Sequence, residues 1–224
     1  MPSPSKPASQ RVWDLPVRLF HWVLVALITV SFVTAQVGGN AMVWHERSGL
    51  TVLALVLFRL LWGFAGATHA RFASFVRGPR AALAYAAALL RGETPFFPGH
   101  NPLGGWMVLL LLASLLVQAG TGLFANDDIM IEGPFARYVS KETSDLLTAV
   151  HHYNFSVLAT LIALHVAAAL FYLFVRRENL ILPMITGRKQ LPAGQPIETP
   201  RGGALWLAAA LLAACAAAVY LAVS

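Results

Sequence analysis

The sequence predicts an all-α integral membrane protein. Of its 224 residues, 58% are hydrophobic and only 12% are charged, whereas soluble domains are about a quarter charged. A hydrocarbon layer about 30 Å thick needs roughly 20 apolar residues of helix to cross it. Five stretches meet that requirement, and we expect transmembrane helices at about residues 17–36, 47–66, 104–125, 153–175 and 204–223.

The first of these stretches is similar to a secretory signal peptide in one respect, because residues 33–36 (VTAQ) resemble a cleavage site. Its apolar region is longer than the about 7–15 residues typical of such peptides. It also contains His21 and Trp22. We therefore predict that this stretch is retained as the first transmembrane helix.

The distribution of charge predicts the orientation of the chain in the membrane. Lysine and arginine are enriched in cytoplasmic segments of membrane proteins. Here they cluster in the N-terminal tail and in the links after the second and fourth stretches. The cluster comprises Lys6, Arg11, Arg18, Arg71, Arg77, Arg80, Arg91, Arg176, Arg177, Arg188, Lys189 and Arg201. The 126–146 link is acidic instead. We expect a membrane protein with its N-terminus on the cytoplasmic side and its C-terminus on the outer, periplasmic side.

Charge and cysteine content exclude two further classes. The net charge of +6 is explained by membrane topology, so we expect no nucleic-acid partner. The single cysteine, Cys215, lies in the fifth stretch, which rules out a disulfide within the chain. No C-x-x-C-H motif occurs in the sequence, and this excludes covalently attached c-type haem.

Histidines within the apolar stretches are the candidate functional residues, because ionisable groups are costly in a membrane and are usually functional there. His151 and His165 are 14 residues apart, which places them on one helix face, about 40° and about 21 Å apart. His152 points about 140° away from His165, so we expect it to be a neighbour rather than a ligand. His69 and His100 fall in a link, where we expect solvated surface positions.

Two further histidines supply partners at matching depths. His21 lies near the inner end of the first stretch, at the depth of His165, and His45 lies at the outer end of the second, at the depth of His151. We call His21 and His165 the inner pair, and His45 and His151 the outer pair. Two imidazoles from facing helices at each level are what bis-histidine ligation of haem b requires. The four residues are therefore candidate axial ligands of two haem irons.

Histidines in membrane spans also serve as metal ligands and in proton relays. Zinc or copper needs three or four converging ligands, and a proton relay favours acidic residues within the spans, which are absent. Arg59 is 14 residues after His45 and so lies on the same face at the inner level. It is either a contact for a haem propionate or a side chain that snorkels to the surface.

Three segments outside the core have simpler predictions. Residues 79–92 (PRAALAYAAALLRG) are predicted as an amphipathic helix on the membrane surface. Residues 140–152 (SKETSDLLTAVHH) are predicted as a short surface helix. The fifth stretch has no polar chemistry and is predicted as an added anchor or a subunit contact.

Four motifs resemble the bacterial cytochrome b561 and Ni-Fe hydrogenase cytochrome b family. They are VWDLPVRLFHWVLV (12–25), WHERSGLTVLALVLFRLLWGF (44–64), GHNPLGGWMVLLLL (99–112) and the H-x13-H segment that ends at His165. The resemblance covers about residues 11–182. It implies a four-helix transmembrane bundle that holds two b haems, with axial ligands at His21, His45, His151 and His165. The fifth helix is a departure from the family pattern, because the shorter family members lack it.

The resemblance also implies a division of the chain. We expect a cytoplasmic tail (1–16), a four-helix di-haem domain (17–182), a cytoplasmic linker (183–203) and the extra C-terminal helix (204–224).

The expected function is transmembrane electron transfer between the quinone pool, ubiquinone or another quinone, and a redox partner. That partner is a periplasmic cytochrome c or a dehydrogenase or hydrogenase subunit. One alternative is a stand-alone superoxide:ubiquinone oxidoreductase. A second alternative, from another class, is a haem-free transporter or scaffold whose histidines bind metal or protons.

Overall fold

The computed structural model describes residues 9–93, 95–129, 131–192 and 200–224. Lys6 and parts of the predicted tail and linker lie outside these ranges. The helices are α1 (Leu15–Val37), α2 (Met42–Ala65), α3 (Phe72–Phe75), α4 (Pro79–Leu90), α5 (Pro102–Gly122), α6 (Lys141–Phe174), α7 (Ile181–Thr186) and α8 (Leu205–Val223). Two short strands, β1 (Ser9–Arg11) and β2 (Arg188–Gln190), form one antiparallel pair.

Five helices among the described residues are long and apolar enough to cross a membrane, namely α1, α2, α5, α6 and α8. The prediction of five helices long and apolar enough to span a membrane is thereby confirmed. The N-termini of α1 and α5 are capped, since the Asp14 and Asn101 side chains accept hydrogen bonds from the amides of Val17 (2.8 Å) and Gly104 (2.7 Å). Such caps satisfy amide groups that have no partner within the helix.

The expectation of a separate surface helix before the fourth span is wrong. The predicted surface segment and the predicted span form one continuous helix, α6, of 34 residues. At 1.5 Å per residue this helix is about 50 Å long, which exceeds the roughly 30 Å of a hydrocarbon layer. No proline or glycine occurs within α6 to interrupt it, so the backbone hydrogen bonding continues through His151 and His152.

The spanning helices pack with α2 at the centre. α1 packs along α2, α5 along α6, α2 against α5, and α8 against α2. The hydroxyl groups of Thr51 on α2 and Tyr220 on α8 are 2.8 Å apart and form a hydrogen bond. The fifth stretch, predicted as an anchor or a subunit contact, therefore forms a helix that packs against one side of α2 within this chain.

The inner end of the bundle is the end where α1, α5 and α8 begin and where α2 and α6 finish, and it is covered by folded links. α4 forms where the amphipathic helix was predicted. The guanidinium of Arg176 donates hydrogen bonds to the carbonyl oxygens of Leu89 (2.7 Å) and Gly92 (3.0 Å) and so satisfies the C-terminal end of α4. Nearby, β1 pairs with β2, which joins the N-terminal segment to the segment after α7.

Candidate functional site

Both histidine pairs are brought together by the fold. The ring centroids of the inner pair, His21 on α1 and His165 on α6, are 6.3 Å apart. Those of the outer pair, His45 on α2 and His151 on α6, are 6.1 Å apart. Each pair therefore joins α6 to a different facing helix, at opposite ends of the bundle.

The spacing within each pair fits two imidazoles on opposite sides of one metal. A bond from a metal to an imidazole nitrogen is about 2 Å long, so two such rings have centroids roughly 6 Å apart. No group of three or more His, Cys, Asp or Glu side chains suited to a metal ion is found in the described part of the chain. Both sites thus offer two nitrogen ligands each, which is the donor set that haem iron takes from a protein.

The outer pair is oriented by backbone carbonyl groups. The Nδ1 atom of His45 lies 2.8 Å from the carbonyl oxygen of Ser31, and that of His151 lies 2.9 Å from the carbonyl oxygen of Gln118. A ring that donates from Nδ1 presents Nε2 as the lone-pair nitrogen, and this arrangement is usual for histidine ligands of metals.

A polar network between α5 and α6 surrounds His151 and was missed at the sequence level. The Asn154 amide donates hydrogen bonds to the carbonyl oxygen of Ser114 (2.9 Å) and to Oε1 of Gln118 (2.7 Å), while the Ser114 hydroxyl donates to Oδ1 of Asn154 (3.1 Å). Nε2 of Gln118 lies 3.0 Å from Nε2 of His151. The available signal was the position of Asn154, three residues after His151 and therefore on a neighbouring part of the same helix surface.

The inner pair has fewer protein partners. Nδ1 of His21 is buried and has no hydrogen-bond partner within the described residues. His165 is exposed on the surface of α6. An imidazole without a hydrogen-bond partner is costly in a hydrocarbon layer. This cost would be removed if a further group bound to the two rings.

His152 does not join either pair. It is exposed, and its ring lies 6.2 Å from that of the adjacent His151. The rotation predicted from helix geometry is seen in the structure, where His151 faces His45 and His152 points outward.

The prediction of solvated positions for His69 and His100 is wrong. His69 is only 7% exposed, and its Nε2 lies 3.4 Å from the Gln10 amide nitrogen. The ring of His100 packs between Trp13 (4.6 Å) and Phe75 (4.7 Å), and its Nδ1 is buried without a partner among the described residues. The link is not a surface loop, because it folds underneath the inner ends of the helices.

Arg59 is buried rather than extended to the surface. It is 3% exposed, donates a hydrogen bond to the carbonyl oxygen of Ala70 (3.1 Å) and lies over the ring of Phe72 (5.3 Å). Its Nη1 is buried with no partner in the described ranges. This buried position argues against simple snorkelling to the surface. The Nη1 group of the guanidinium remains available as a donor to an anion.

Glycine residues keep space beside the outer pair. A Cβ atom built at Gly49, one turn after His45, meets no heavy atom within 4 Å. At Gly122 a Cβ would lie 3.0 Å from Cε1 of His151, so a larger residue there would displace the ring. Together these positions provide room for a flat group next to the outer imidazoles.

An apolar layer separates the two pairs. Val52 lies midway between His45 and Arg59 in sequence, and Leu158 lies midway between His151 and His165. Both are buried. They belong to one cluster, which comprises Leu24, Val52, Val56, Leu112, Leu115 and Leu158. The two histidine levels are therefore separated by a dry, low-dielectric layer.

A membrane-spanning helical protein with paired imidazoles at two depths has the arrangement expected of a b-type cytochrome of the electron-transfer class, and sequence comparisons agree. Residues 12–187 match the family described as prokaryotic cytochrome b561. This chain belongs to that family. It is a multi-pass membrane protein, and the family implies haem b as its cofactor.

Two relatives are similar to most of the chain. A probable Ni/Fe-hydrogenase B-type cytochrome subunit from Bradyrhizobium diazoefficiens is 24% identical over 213 residues, covering 80% of this chain and 85% of the relative. The protein of the same description from Rhodobacter capsulatus is also 24% identical over 213 residues and covers 80% of each chain. No solved structure matches the chain.

Proposed function

We propose that this protein binds two b haems and carries electrons across the bacterial inner membrane between the quinone pool and an oxidoreductase partner. The observation that carries the proposal is the pair of imidazole couples, 6.3 Å and 6.1 Å between ring centroids, at opposite ends of the bundle. His21 and His165 would hold the inner haem, and His45 and His151 the outer haem. When bound, haem b supplies reversible one-electron chemistry.

The residues of this chain contribute binding, orientation and insulation. The carbonyl groups of Ser31 and Gln118 fix the rings of the outer pair. The apolar cluster around Val52 and Leu158 excludes water between the two levels. Each haem would be held by two histidines of this chain, an arrangement that favours electron transfer over substrate chemistry at the metal.

The N-terminus is proposed to be cytoplasmic and the C-terminus periplasmic. The positive-inside distribution supports this orientation. Most basic residues of the described links, such as Arg71, Arg77 and Arg188, lie at the inner end of the bundle, whereas the 126–146 link, which joins α5 to α6 at the opposite end, is acidic on balance.

The names of the relatives support an oxidoreductase subunit as the partner, and a periplasmic cytochrome c is the other candidate. The acidic link that would face the periplasm has part of its charge paired internally, because the amine of Lys141 forms ion pairs with Asp128 and Asp145. This pairing reduces the field available to attract a basic carrier. We therefore favour a membrane-bound oxidoreductase subunit.

The first experiment is to purify the protein from its native membrane, count haem by the pyridine hemochrome method and identify proteins that copurify. We expect two b haems per chain and an oxidoreductase subunit in the same fraction. A preparation without a b-type α-band in the reduced-minus-oxidised spectrum would contradict the proposal and favour the transporter or scaffold. Sustained oxidation of superoxide with ubiquinone as acceptor, by the isolated chain alone, would favour the stand-alone enzyme.

A further inference from the structure

Arg59 is a buried cation without a paired anion. None of the ion pairs among the described residues includes it. The carboxylate of Asp14 acts electrostatically on Arg59 but forms no ion pair with it, and its two oxygens accept hydrogen bonds from the Val17 amide (2.8 Å) and from Nε1 of Trp62 (3.0 Å). A buried charge is strongly destabilising unless it is paired. The unpartnered Nη1 atom therefore indicates that an anion belongs beside it.

His100 supplies a second unpartnered nitrogen in the same region. Its Nδ1 is buried, and its ring contacts the rings of Trp13 and Phe75, with centroids 4.6 Å and 4.7 Å away. Phe75 contacts Phe72, the ring over which Arg59 lies. Burial is the main cause that lowers the pKa of His100, to about 3, and the charge of Arg59 is the next largest cause. His100 is thus a neutral imidazole within electrostatic reach of Arg59.

The location ties both groups to the inner pair. His165 is a further group whose charge acts on His100, and Arg59 lies 14 residues after His45 on α2, about 21 Å along the helix and at the level of His165. The two donors belong to different elements, one to α2 and one to the link before α5. A guanidinium and a neutral N–H in the same region as an imidazole couple form a donor set suited to a carboxylate.

We propose that Arg59 and His100 together form a carboxylate-binding site for a propionate of the inner haem. Arg59 donates from Nη1 and His100 from Nδ1, while Trp13, Phe72 and Phe75 hold both side chains in place. This inference rests on the proposed function, because it presupposes a haem at His21 and His165. In this site His100 is a positioning residue for the inner haem, and we propose no such residue for the outer haem.

The test measures the inner haem in purified protein that still carries both haems. A neighbouring cation disfavours the ferric state, so Arg59→Gln should lower the inner midpoint potential by at least about 59 mV, a tenfold change in the oxidised-to-reduced ratio for one electron. His100→Phe keeps an aromatic ring between Trp13 and Phe75 but removes the N–H donor. It should lower the potential by a smaller, roughly threefold change in that ratio.

A second readout separates carboxylate binding from a general structural effect. Protein carrying haem labelled with ¹³C at the propionate carboxyl groups is compared by redox-difference infrared spectroscopy. We expect the inner carboxylate band to shift in Arg59→Gln and His100→Phe. His100→Asn, whose amide nitrogen takes about the position of Nδ1, should restore both the band and the potential. His69→Asn, a change at another buried histidine of the same link, should alter neither.

The outcomes distinguish this inference from the proposed function. A wild type without an inner haem overturns both proposals. A wild type with two haems, in which His100→Phe leaves the inner potential and the carboxylate band unchanged, overturns this inference alone. If Arg59→Gln fails to retain the inner haem, the inference is judged on the His100 variants alone. It holds if His100→Asn restores the potential and the carboxylate band that His100→Phe changes, and it fails if His100→Asn does not.

Discussion

The inner and outer histidine pairs have nearly the same spacing but different surroundings. Both outer rings lie at hydrogen-bond distance from a backbone carbonyl, of Ser31 for His45 and of Gln118 for His151. At the inner pair, Nδ1 of His21 has no partner among the described residues. The groups near the inner pair are instead a buried cation, Arg59, and neutral His100.

This difference indicates that one ligand type serves two electronically distinct sites. A carbonyl that accepts from Nδ1 makes the imidazole a stronger electron donor, and a stronger donor stabilises ferric iron. A buried cation has the opposite effect, because it disfavours the additional positive charge of the ferric state. From both influences we expect that a haem at the inner pair would have a higher potential than a haem at the outer pair.

The largest effect should come from removing one ligand of each pair. His165→Ala is expected to lose only the inner haem and His45→Ala only the outer haem, since the two irons would share no ligand. Haem content by pyridine hemochrome should fall from two per chain to one in each variant. His152→Ala is the matched control, because it removes an adjacent imidazole that faces away from His45.

Two results would break the assignment of ligands. Loss of a haem in His152→Ala would mean that the neighbouring histidine is the ligand. Loss of both haems in His45→Ala, with the helical circular-dichroism signal retained, would mean that the pairs do not bind independently.

Gly49→Phe tests whether the outer site occupies the space beside His45. A phenyl ring one turn after His45 would fill the region where a Cβ now meets no atom within 4 Å. Outer haem occupancy should fall by more than half, and the inner haem should remain. Leu61→Phe, at a 46% exposed position on the same helix, should leave both haems bound. Two haems in Gly49→Phe would place the macrocycle on another side of His45.

Helix periodicity was sufficient to predict the ligand candidates. A separation of 14 residues fixes the relative direction of His151 and His165 on any straight helix, and α6 is continuous between them. The same rule separated His151 from His152. Such predictions of direction and depth depend on one helix at a time and on the depth that hydropathy assigns to each end.

The remainder depends on contacts between elements, which periodicity does not describe. His100 lies in a polar link, and nothing local indicates that the link folds beneath the bundle and places its ring between Trp13 and Phe75. The same applies to Asn154, whose partners Ser114 and Gln118 lie on another helix. Polar composition marks the end of an apolar span but not the end of a helix, and α6 therefore continues through the segment that was predicted as a separate surface helix.

A potentiometric titration of the wild type sharpens the electronic comparison. We expect two one-electron steps separated by at least about 59 mV, which corresponds to a tenfold difference in the oxidised-to-reduced ratio. The steps are assigned with the single-haem variants. The His45→Ala protein, which keeps the inner haem, should titrate at the higher potential. The reverse order would show that the carbonyl contacts and Arg59 do not dominate the two environments.

The smallest expected effect concerns the helix behind the outer pair. Tyr220 on α8 forms a hydrogen bond with Thr51 on α2, less than two turns from His45, whereas the inner half of the α2–α8 contact is apolar and includes Ala208, Cys215 and Phe58.

Tyr220→Phe keeps the ring and removes the hydroxyl. A hydrogen bond between membrane helices contributes about 0.6 kcal/mol, so the free energy of unfolding in detergent should fall by about that amount with both haems retained. Thr51→Val also removes the hydrogen bond that the Thr51 hydroxyl donates to the carbonyl oxygen of Arg47 (2.8 Å), so its effect should be at least as large, and the double variant should be no less stable than Thr51→Val if the Tyr220 hydroxyl acts only through its bond to Thr51. Loss of the outer haem in Tyr220→Phe would instead show that α8 positions His45 through α2, and that the fifth helix takes part in haem binding.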